Sequence, residues 1–243
     1  MRDPVRLSLS QYEIAWQRMW QGLGAPKADP ALLRALLARY TEPHRHYHTL
    51  RHLEACFAHF DAVRHAAAHP QEVELALWFH DAVYEIRAEN NELQSADWAR
   101  DVLLEAGVDE EAAQRVHALV MATCHNTLPR TPDQQILLDV DLAILGAPTP
   151  QFDAYEAQVR AEYASVPEPA FRSGRRRILE QFLARERIFL TAHFNSRYEA
   201  QARANLRRSI GSRPDGGRVR AGYPRTPVIH APVVPVLGRT DAA

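Results

Sequence analysis

Residues 75–84 read LALWFHDAVY, and this stretch decides the fold that the sequence predicts. Together with Val73, its apolar side chains occupy every face of a helix, which is typical of a helix that runs through the middle of a domain. We therefore predict a central helix over residues 73–84. His80 is expected to face the core, because its helical neighbours three and four positions away are Ala76, Leu77, Val83 and Tyr84.

Helical patterns continue on both sides of this segment. Ser10 and Glu13 form a capping box that predicts a first helix from about residue 11, Asp29 before Pro30 predicts a second, and Thr49 can cap a third. Further helices are predicted over residues 91–106, 110–124, 133–145, 168–190 and 195–210, and from residue 149 onwards. Since no segment alternates as a strand does, we predict an all-α fold with one helical domain over residues 1–210.

Residues 211–243 differ from the rest of the chain in composition. They are rich in Gly, Pro and Arg and end in TPVIHAPVVPVLGRTDAA, which has too little periodic apolar content to pack as a helix. The sequence therefore predicts a disordered tail over this range.

Charge and apolar content exclude several classes of partner. The 29 basic and 30 acidic residues nearly cancel, so no global field favours nucleic acid or an anionic membrane. No apolar run is long enough to cross a bilayer, and the first residues lack the apolar stretch of a secretory signal. We expect a cytoplasmic protein in which Cys56 and Cys124, both in helical apolar patterns, are reduced core thiols.

His80 and Asp81 are the first candidates for chemistry. A carboxylate flanked by Leu77, Trp78 and Tyr84 is costly to bury without a partner. A divalent cation would remove that cost, and so would a helix cap or an arginine. The dipeptide alone leaves these alternatives open.

A second carboxylate is offered by ILLDVDLAILG, residues 136–146. Asp139 and Asp141 are two positions apart on a helix and point to nearly opposite sides, so only one can share the core with His80. The helical neighbours of Asp141 are all apolar. We therefore expect Asp141 to be the more buried carboxylate and the metal ligand, and Asp139 to lie on the surface or behind the ligands.

Two further histidines occur in RHYHTLRH, residues 45–52. If Thr49 caps the helix, His52 falls in its first turn and His48 lies just before it, so both can face one cavity. Two imidazoles and two carboxylates would form a mixed nitrogen and oxygen site suited to Mn, Fe, Co, Ni or Zn, and further carboxylates would admit Mg.

The order of these elements resembles the HD superfamily of metal-dependent phosphohydrolases, in which a first histidine precedes an adjacent His-Asp pair and a later lone aspartate. YHTLRH is similar to the Tyr-His-Asn-x-x-His element of cyclic-nucleotide phosphodiesterases, with Thr49 in place of the asparagine. Nothing resembles the glutamine and aromatic purine clamp of that group, so cyclic nucleotides are not implied. Over roughly residues 10–210, the chain also resembles a family of small bacterial proteins predicted to be HD-superfamily phosphohydrolases, in the elements WFHDAVY, NELQSA, DVDLAILG and RAEY.

The resemblance implies an HD-domain helical bundle and a role for each residue. A divalent ion, or two, would be held by His52, His80, Asp81 and Asp141, and His48 would be the acid that protonates the leaving group. Such an ion lowers the pKa of a bound water from about 16 towards 7, and Asp81 would orient this nucleophile. The implied reaction is hydrolysis of a phosphate ester, either a nucleotide or another small phosphorylated metabolite.

Other polar residues are candidates for the same site. Glu92 could orient the water or be an ordinary acid in the first turn of a helix. His125 could contact the phosphate, hold a second ion, or simply face the helix dipole. Arg45 and the run from Arg175 to Arg177 could bind phosphate oxygens, although a solvated face is the better interpretation of the run.

Two alternatives to hydrolysis remain open at this point. A few HD-fold proteins are thought to bind two irons and act as oxygenases, and His125 is the candidate for the extra ligand that this would need. A ligand-sensing protein with an inactive site is the non-enzymatic alternative. The sequence indicates neither the organic part of the substrate, nor the physiological metal, nor the oligomeric state.

Overall fold

The computed structural model describes residues 7–25, 29–86, 88–125 and 127–211, and within these ranges it contains helices and no strand. The all-α fold class predicted from the sequence is therefore confirmed. Of the predicted tail, Gly211 is the last residue of the final helix, and residues 212–243 lie outside the described residues. None of the described helices is both long enough and apolar enough to cross a membrane.

All ten helices predicted from the sequence are present in this part of the chain, several with different ends. The α-helices are α1 Leu9–Gly22, α2 Pro30–Arg39, α3 Leu50–Asp61, α4 Pro70–Phe79, α5 Asn91–Glu105, α6 Glu110–Ala122, α7 Pro132–Asp141, α8 Thr149–Glu162, α9 Glu168–Ala184 and α10 Ala192–Gly211. Two 3-10 helices occur at Arg64–Ala66 and, directly after α7, at Leu142–Gly146.

The helix α4 is central, as predicted, and packs against α1, α3, α5, α6 and α7. Every side chain from Val73 to Phe79 is buried. The ring of Trp78 lies 5.2 Å from Trp16 and 4.7 Å from Phe57, measured between centroids, and aromatic side chains of this size contribute several kcal/mol each when buried. This packing places the end of α4 deep inside the molecule.

The predicted extension of α4 to residue 84 is wrong, because tertiary partners take the backbone groups that a further helical turn would use. Arg45 donates hydrogen bonds to two carbonyl oxygens of the segment after α4. Two side chains near the start of α5 accept hydrogen bonds from backbone amides of the same segment. The bonds are Arg45 to Asp81 O at 2.6 Å and to Ala82 O at 3.2 Å, Val83 N to Ser95 Oγ at 3.0 Å, and Glu85 N to Asn91 Oδ1 at 3.0 Å. His80 is therefore the C-cap of α4, and Asp81 lies in the turn beyond it.

The capping box of α1 lies two residues earlier than predicted. Ser8, not Ser10, caps this helix, and Gln11 takes the place expected for Glu13. Ser8 N donates to Gln11 Oε1 at 2.7 Å, and Gln11 N donates to Ser8 Oγ at 3.4 Å. Both pairs have the same three-residue spacing, so the spacing alone did not distinguish them.

The helix α9 ends at Ala184, well before the predicted residue 190. Carboxylates from two other helices accept the amides of the segment that follows, which therefore cannot bond along a helix. The bonds are Ile188 N and Phe189 N to Glu199 at 3.0 Å, Leu190 N to Asp139 Oδ1 at 2.8 Å, and Thr191 N to Asp139 Oδ2 at 2.7 Å.

Candidate metal centre

His52 from α3, His80 and Asp81 from the end of α4, and Asp141 from the end of α7 meet at one point. The Nε2 atom of His52 lies 3.0 Å from His80 Nε2 and 3.4 Å from both Asp81 Oδ2 and Asp141 Oδ1. His80 Nε2 lies 3.1 Å and 3.7 Å from the same two oxygens. The structure therefore brings together the four residues that the resemblance implies as ligands.

Four of these five separations fit the ligands of a single ion, and the fifth, 3.7 Å between His80 Nε2 and Asp141 Oδ1, is slightly wider. With metal-ligand bonds of about 2.0–2.2 Å, neighbouring ligand atoms around one ion are about 3.0–3.5 Å apart. The ligand atoms of His52, His80 and Asp141, together with the Cys56 sulfur, also lie within 4.8 Å of one another. This buried group of residues could bind a metal ion.

His80 has the tautomer that a metal ligand needs. Its Nδ1 lies 2.8 Å from the carbonyl oxygen of Leu77. Because a carbonyl oxygen can only accept, Nδ1 carries the proton, and the lone pair of the neutral ring is on Nε2. A second hydrogen bond of this kind is the usual way in which proteins orient a ligating histidine.

The charges of the cluster depend on one another. Burial alone would lower the pKa of His80, but contact with Asp81 outweighs it and raises the pKa to about 9. Burial likewise opposes ionisation of Asp81 and Asp141, yet the neighbouring histidines hold the pKa of both carboxylates well below the usual range. Protons on the rings thus balance the two carboxylates, and a divalent cation would balance them in the same place.

Cys56 lies against this cluster as a free, buried thiol. Its Sγ is 3.7 Å from Nε2 and 3.8 Å from Nδ1 of His52, so the sulfur flanks the ring instead of pointing along one nitrogen lone pair. The other cysteine, Cys124, is only partly buried and is also free. Burial and the nearby Glu92 carboxylate raise the pKa of Cys124 to about 12.

The expected burial of the two aspartates of α7 is wrong, although Asp141 does face the cluster. Asp139 is fully buried, whereas about a sixth of the Asp141 side chain is exposed. The Asp139 carboxylate accepts hydrogen bonds from Leu190 N, Thr191 N and Thr191 Oγ1 at 2.7–2.8 Å. Apolar neighbours along α7 did not reveal this, because the partners of Asp139 come from the segment before α10.

His48 stands beside the ligands and not among them. Its ring lies 5.9 Å from that of His52 and stacks on Tyr84 at 4.2 Å, measured between centroids. Its Nδ1 lies 2.8 Å from Glu162 Oε2. Because an ionised carboxylate can only accept a hydrogen bond, Nδ1 is the donor. Both histidines of the 45–52 segment therefore do lie near one cavity, with His52 in the cluster and His48 at its edge.

Glu162, at the end of α8, is a site residue that the sequence analysis did not single out. Its Oε1 accepts the amides of His46, Tyr47 and His48 at 2.8–3.0 Å, and its Oε2 also accepts from Tyr84 Oη at 2.9 Å. Burial would raise the pKa of Glu162, but His48 and these amides lower it to about 2. Two signals in the sequence could have indicated Glu162. It belongs to the element RAEY, and its helical neighbours include the apolar Val159 and the adjacent Tyr163.

A cavity of about 130 Å³ opens beside the cluster. His48, His80, Asp81 and Asp141 line it, and so do the candidates Glu92 and His125. The structure thus brings Glu92, in the first turn of α5, and His125, in the loop after α6, to the same cavity as the ligands.

His125 has an unusual backbone conformation for a residue with a side chain. Its φ angle is +54°, in the left-handed region that non-glycine residues rarely adopt. Its Nε2 lies 3.2 Å from Asp141 Oδ2, while its Nδ1 is buried and finds no hydrogen-bond partner among the described residues. Strain and an unpartnered polar atom concentrate at functional sites.

Arg45 and the arginine run lie differently from what the sequence suggests. Arg45 is buried outside this cavity, and its guanidinium donates to Glu42 and to the carbonyl oxygens of residues 48, 81 and 82. It therefore supports the turn that carries Asp81 and does not line this cavity. Arg175 is buried and does line the cavity, contrary to the solvated face expected for the run, while Arg177 is exposed.

Comparison with known proteins assigns no family and no function to the chain. No protein-family model, no curated protein and no solved structure matches the chain. The functional interpretation therefore depends on the ligand geometry, the buried charges and the cavity beside them.

Proposed function

We propose that this protein is a metal-dependent hydrolase of phosphate esters, of the HD type. The observation that carries the proposal is the convergence of His52, His80, Asp81 and Asp141 at the wall of a cavity that also holds His48. A ligand cluster beside a cavity that can take a substrate is what metal-assisted hydrolysis requires.

In this proposal the ion is held by the two Nε2 atoms of His52 and His80 and by oxygens of Asp81 and Asp141. Such an ion supplies Lewis acidity, which makes water a nucleophile near neutral pH and polarises a phosphoryl oxygen. Asp81 lines the cavity with about a fifth of its side chain exposed, so its carboxylate can accept a hydrogen bond from the attacking water and orient it.

His48 is the proposed general acid. Glu162 accepts a hydrogen bond from Nδ1 of His48 and hydrogen bonds from three backbone amides, and so fixes the loop from which His48 projects. This leaves Nε2 as the nitrogen that can give a proton to the departing oxygen. The arrangement has the base-orienter geometry found where an imidazole transfers protons in catalysis.

His125 and Glu92 are proposed to contact the substrate side of the cavity. The buried, unpartnered Nδ1 of His125 supports a bond to the bound ester or to a water. Glu92 lines the same space and is proposed to hold water there. The position of His125 beside Asp141 also favours the alternative of a second ion, and with iron this would make oxygenase chemistry the rival function.

Metal analysis combined with a substrate screen tests the proposal. The protein is stripped with a chelator, reloaded with Mn, Co, Mg, Ni, Fe or Zn, and assayed on nitrophenyl phosphate and unactivated esters. We expect about one ion per chain and turnover that returns with the metal. Oxygen uptake by the iron form without ester hydrolysis would favour the oxygenase, and ligand binding without any turnover would favour a sensor.

A further inference from the structure

The cavity lined by His48, Asp81 and His125 is small for an enzyme pocket. A separate cavity of about 480 Å³ also reaches His52 and Asp141, but none of His48, Asp81, Glu92 and His125 lines it. The volume of the smaller cavity, about 130 Å³, is close to that of a cavity that holds one benzene molecule, about 150 Å³, whereas pockets for drug-sized ligands are about 300–1,000 Å³. A phosphoryl group that carries one short chain or one ring has a volume of this order. The nucleoside of a nucleotide would have to project out of it and would gain few contacts.

Apart from the titratable groups and the polar side chains of Asn91 and Thr123, the walls are apolar. They are formed by Leu142, Ile144, Leu145, Val159, Ile178 and Phe182. Hydrophobic side chains of this kind favour an apolar organic group, and a sugar would leave its hydroxyls without partners against them.

The charges of the cavity match a single phosphoryl group. Asp81, Glu92 and Asp141 line it, whereas Arg175 is the one arginine or lysine among its described lining residues. The charge of Arg175 is already paired, because its guanidinium donates to Glu156 Oε1 at 2.5 Å and 2.9 Å. Apart from the proposed ion and the histidines, the described lining residues therefore offer no unpaired cation to the further phosphates of a di- or triphosphate.

From size, lining and charge together we infer that the substrate is a small phosphate monoester whose organic part is apolar and no larger than about one ring. This inference rests on the proposed function and narrows it, since it excludes nucleotides as preferred substrates. Ile144, as a cavity wall, is a specificity-determining residue.

The first experiment compares esters with equal leaving-group chemistry on the metal-loaded protein. Propyl phosphate and adenosine 5′-monophosphate both release a primary alkoxide, so they differ in the size and polarity of the organic part. We expect kcat/KM for propyl phosphate to exceed that for the nucleotide by about 10- to 100-fold, the range in which pocket fit discriminates. Calorimetry should likewise give tighter binding of propylphosphonate, which cannot be hydrolysed, than of the nucleotide.

A wall variant tests whether the cavity sets this preference. Ile144→Ala removes a partly exposed wall side chain, and Ile14→Ala makes the same change on the exposed face of α1. We expect Ile144→Ala to reduce the propyl-to-nucleotide ratio of kcat/KM about tenfold and Ile14→Ala to leave it unchanged.

The outcomes separate this inference from the proposed function. If the nucleotide is bound and hydrolysed as well as propyl phosphate, or if Ile144→Ala leaves the ratio unchanged, the size inference is overturned while phosphate hydrolysis stands. If the metal-loaded protein hydrolyses none of the esters, the proposed function fails and the inference fails with it.

Discussion

At the scale of single residues, His80 and Asp81 carry the clearest prediction. Replacing either with alanine removes one of the converging ligand atoms and leaves the remaining carboxylate and imidazole groups unbalanced in a buried site. We expect His80→Ala and Asp81→Ala each to abolish both metal binding and activity, measured as metal per chain after dialysis and as kcat. His65→Ala, on an exposed residue, is the matched control and should change neither.

Circular dichroism shows whether each variant is folded, so that a loss of metal is not mistaken for a loss of structure. A folded His80→Ala or Asp81→Ala protein with full metal occupancy would contradict the assigned centre.

His48 and His52 are four residues apart in sequence but have different expected roles. His52→Ala should lower metal affinity, because its Nε2 lies 3.0–3.4 Å from the other ligand atoms. His48→Ala should keep the metal and lose about 10²- to 10⁴-fold in kcat, the range typical of one positioned proton donor. Metal stoichiometry and rates of both variants check this.

The leaving group provides a second measure of the role of His48. A nitrophenyl ester needs little protonation of its leaving oxygen, so the loss in His48→Ala should be smaller for it than for an alkyl ester. If His48→Ala loses metal and His52→Ala keeps it, the two roles are exchanged. If both variants keep metal and full rate, this segment is not part of the active site.

Sequence reasoning identified the converging residues but not the groups that hold them in position. His52, His80, Asp81 and Asp141 stand in order along helices with apolar faces, and such local patterns can be read from the sequence. Glu162 could not be derived in that way. Its partners are main-chain amides about 115 residues earlier, and a side chain that binds backbone leaves no pattern in the residues it binds.

At the scale of elements, the departures from the predicted helix ends have one cause. The patterns of residues 73–84 and 168–190 favour continuous helices. Near the C-terminal end of each range, however, side chains from distant elements form hydrogen bonds with the backbone. Arg45 at residues 81 and 82 and Asp139 at residues 190 and 191 are examples. The turn at the end of α4 carries Asp81 into the cluster, so the local misprediction falls on the candidate metal centre.

The two aspartates of α7 provide a matched pair for a test at this scale. Asp139→Asn puts an amide group among the donors from Leu190 and Thr191, and we expect it to reduce the free energy of unfolding by about 2–4 kcal/mol without loss of metal. Asp141→Asn should instead lower metal affinity. Denaturant unfolding and metal analysis of both variants distinguish the roles, and loss of metal in a folded Asp139→Asn protein would exchange them.

The hydrogen bonds that join Glu162, at the end of α8, to the loop before α3 predict that stability depends on pH. The pKa of Glu162 in the folded protein is lowered to about 2, so its contribution to stability is complete above its ordinary pKa of 4.5 and is lost as the pH falls from 4.5 through 2. A lowering of this size corresponds to about 3 kcal/mol near neutral pH. Glu162→Gln should lack this contribution.

The measurement is the free energy of unfolding of metal-free wild type and Glu162→Gln from pH 7 down to pH 2. We expect the difference between the two proteins to be largest at neutral pH and to shrink below pH 4.5. Glu13→Gln, on the exposed face of α1, should follow the wild type throughout. A difference that does not change with pH would mean that the charge of Glu162 does not stabilise the loop.

At the scale of the whole molecule, apolar periodicity was sufficient to predict the fold class and the ten α-helices of the described residues. The buried faces of α1 and α3 and the all-round burial of α4 agree with their apolar patterns, because a helix needs apolar residues on each face that packs on a core. How the ten described α-helices pack so that side chains from the ends of three of them meet at one point was not predictable, since it depends on contacts between residues far apart in sequence.

The extent of the helical domain can be tested by truncation. Deleting everything after Ile210 should leave the melting temperature within about 2 °C of that of the full chain and kcat unchanged, because the removed sequence has no periodic apolar face to dock. Deleting everything after Ala204 is the control. It removes Asn205, whose side chain donates to the carbonyl oxygens of Leu145 and Ala147 at 2.9 Å and 2.8 Å and so holds the end of the 3-10 helix that follows Asp141. We expect this shorter chain to melt at least about 5 °C lower and to bind metal more weakly. A similarly large fall on deletion after Ile210 would show that the tail packs on the domain and that the boundary predicted from composition is wrong.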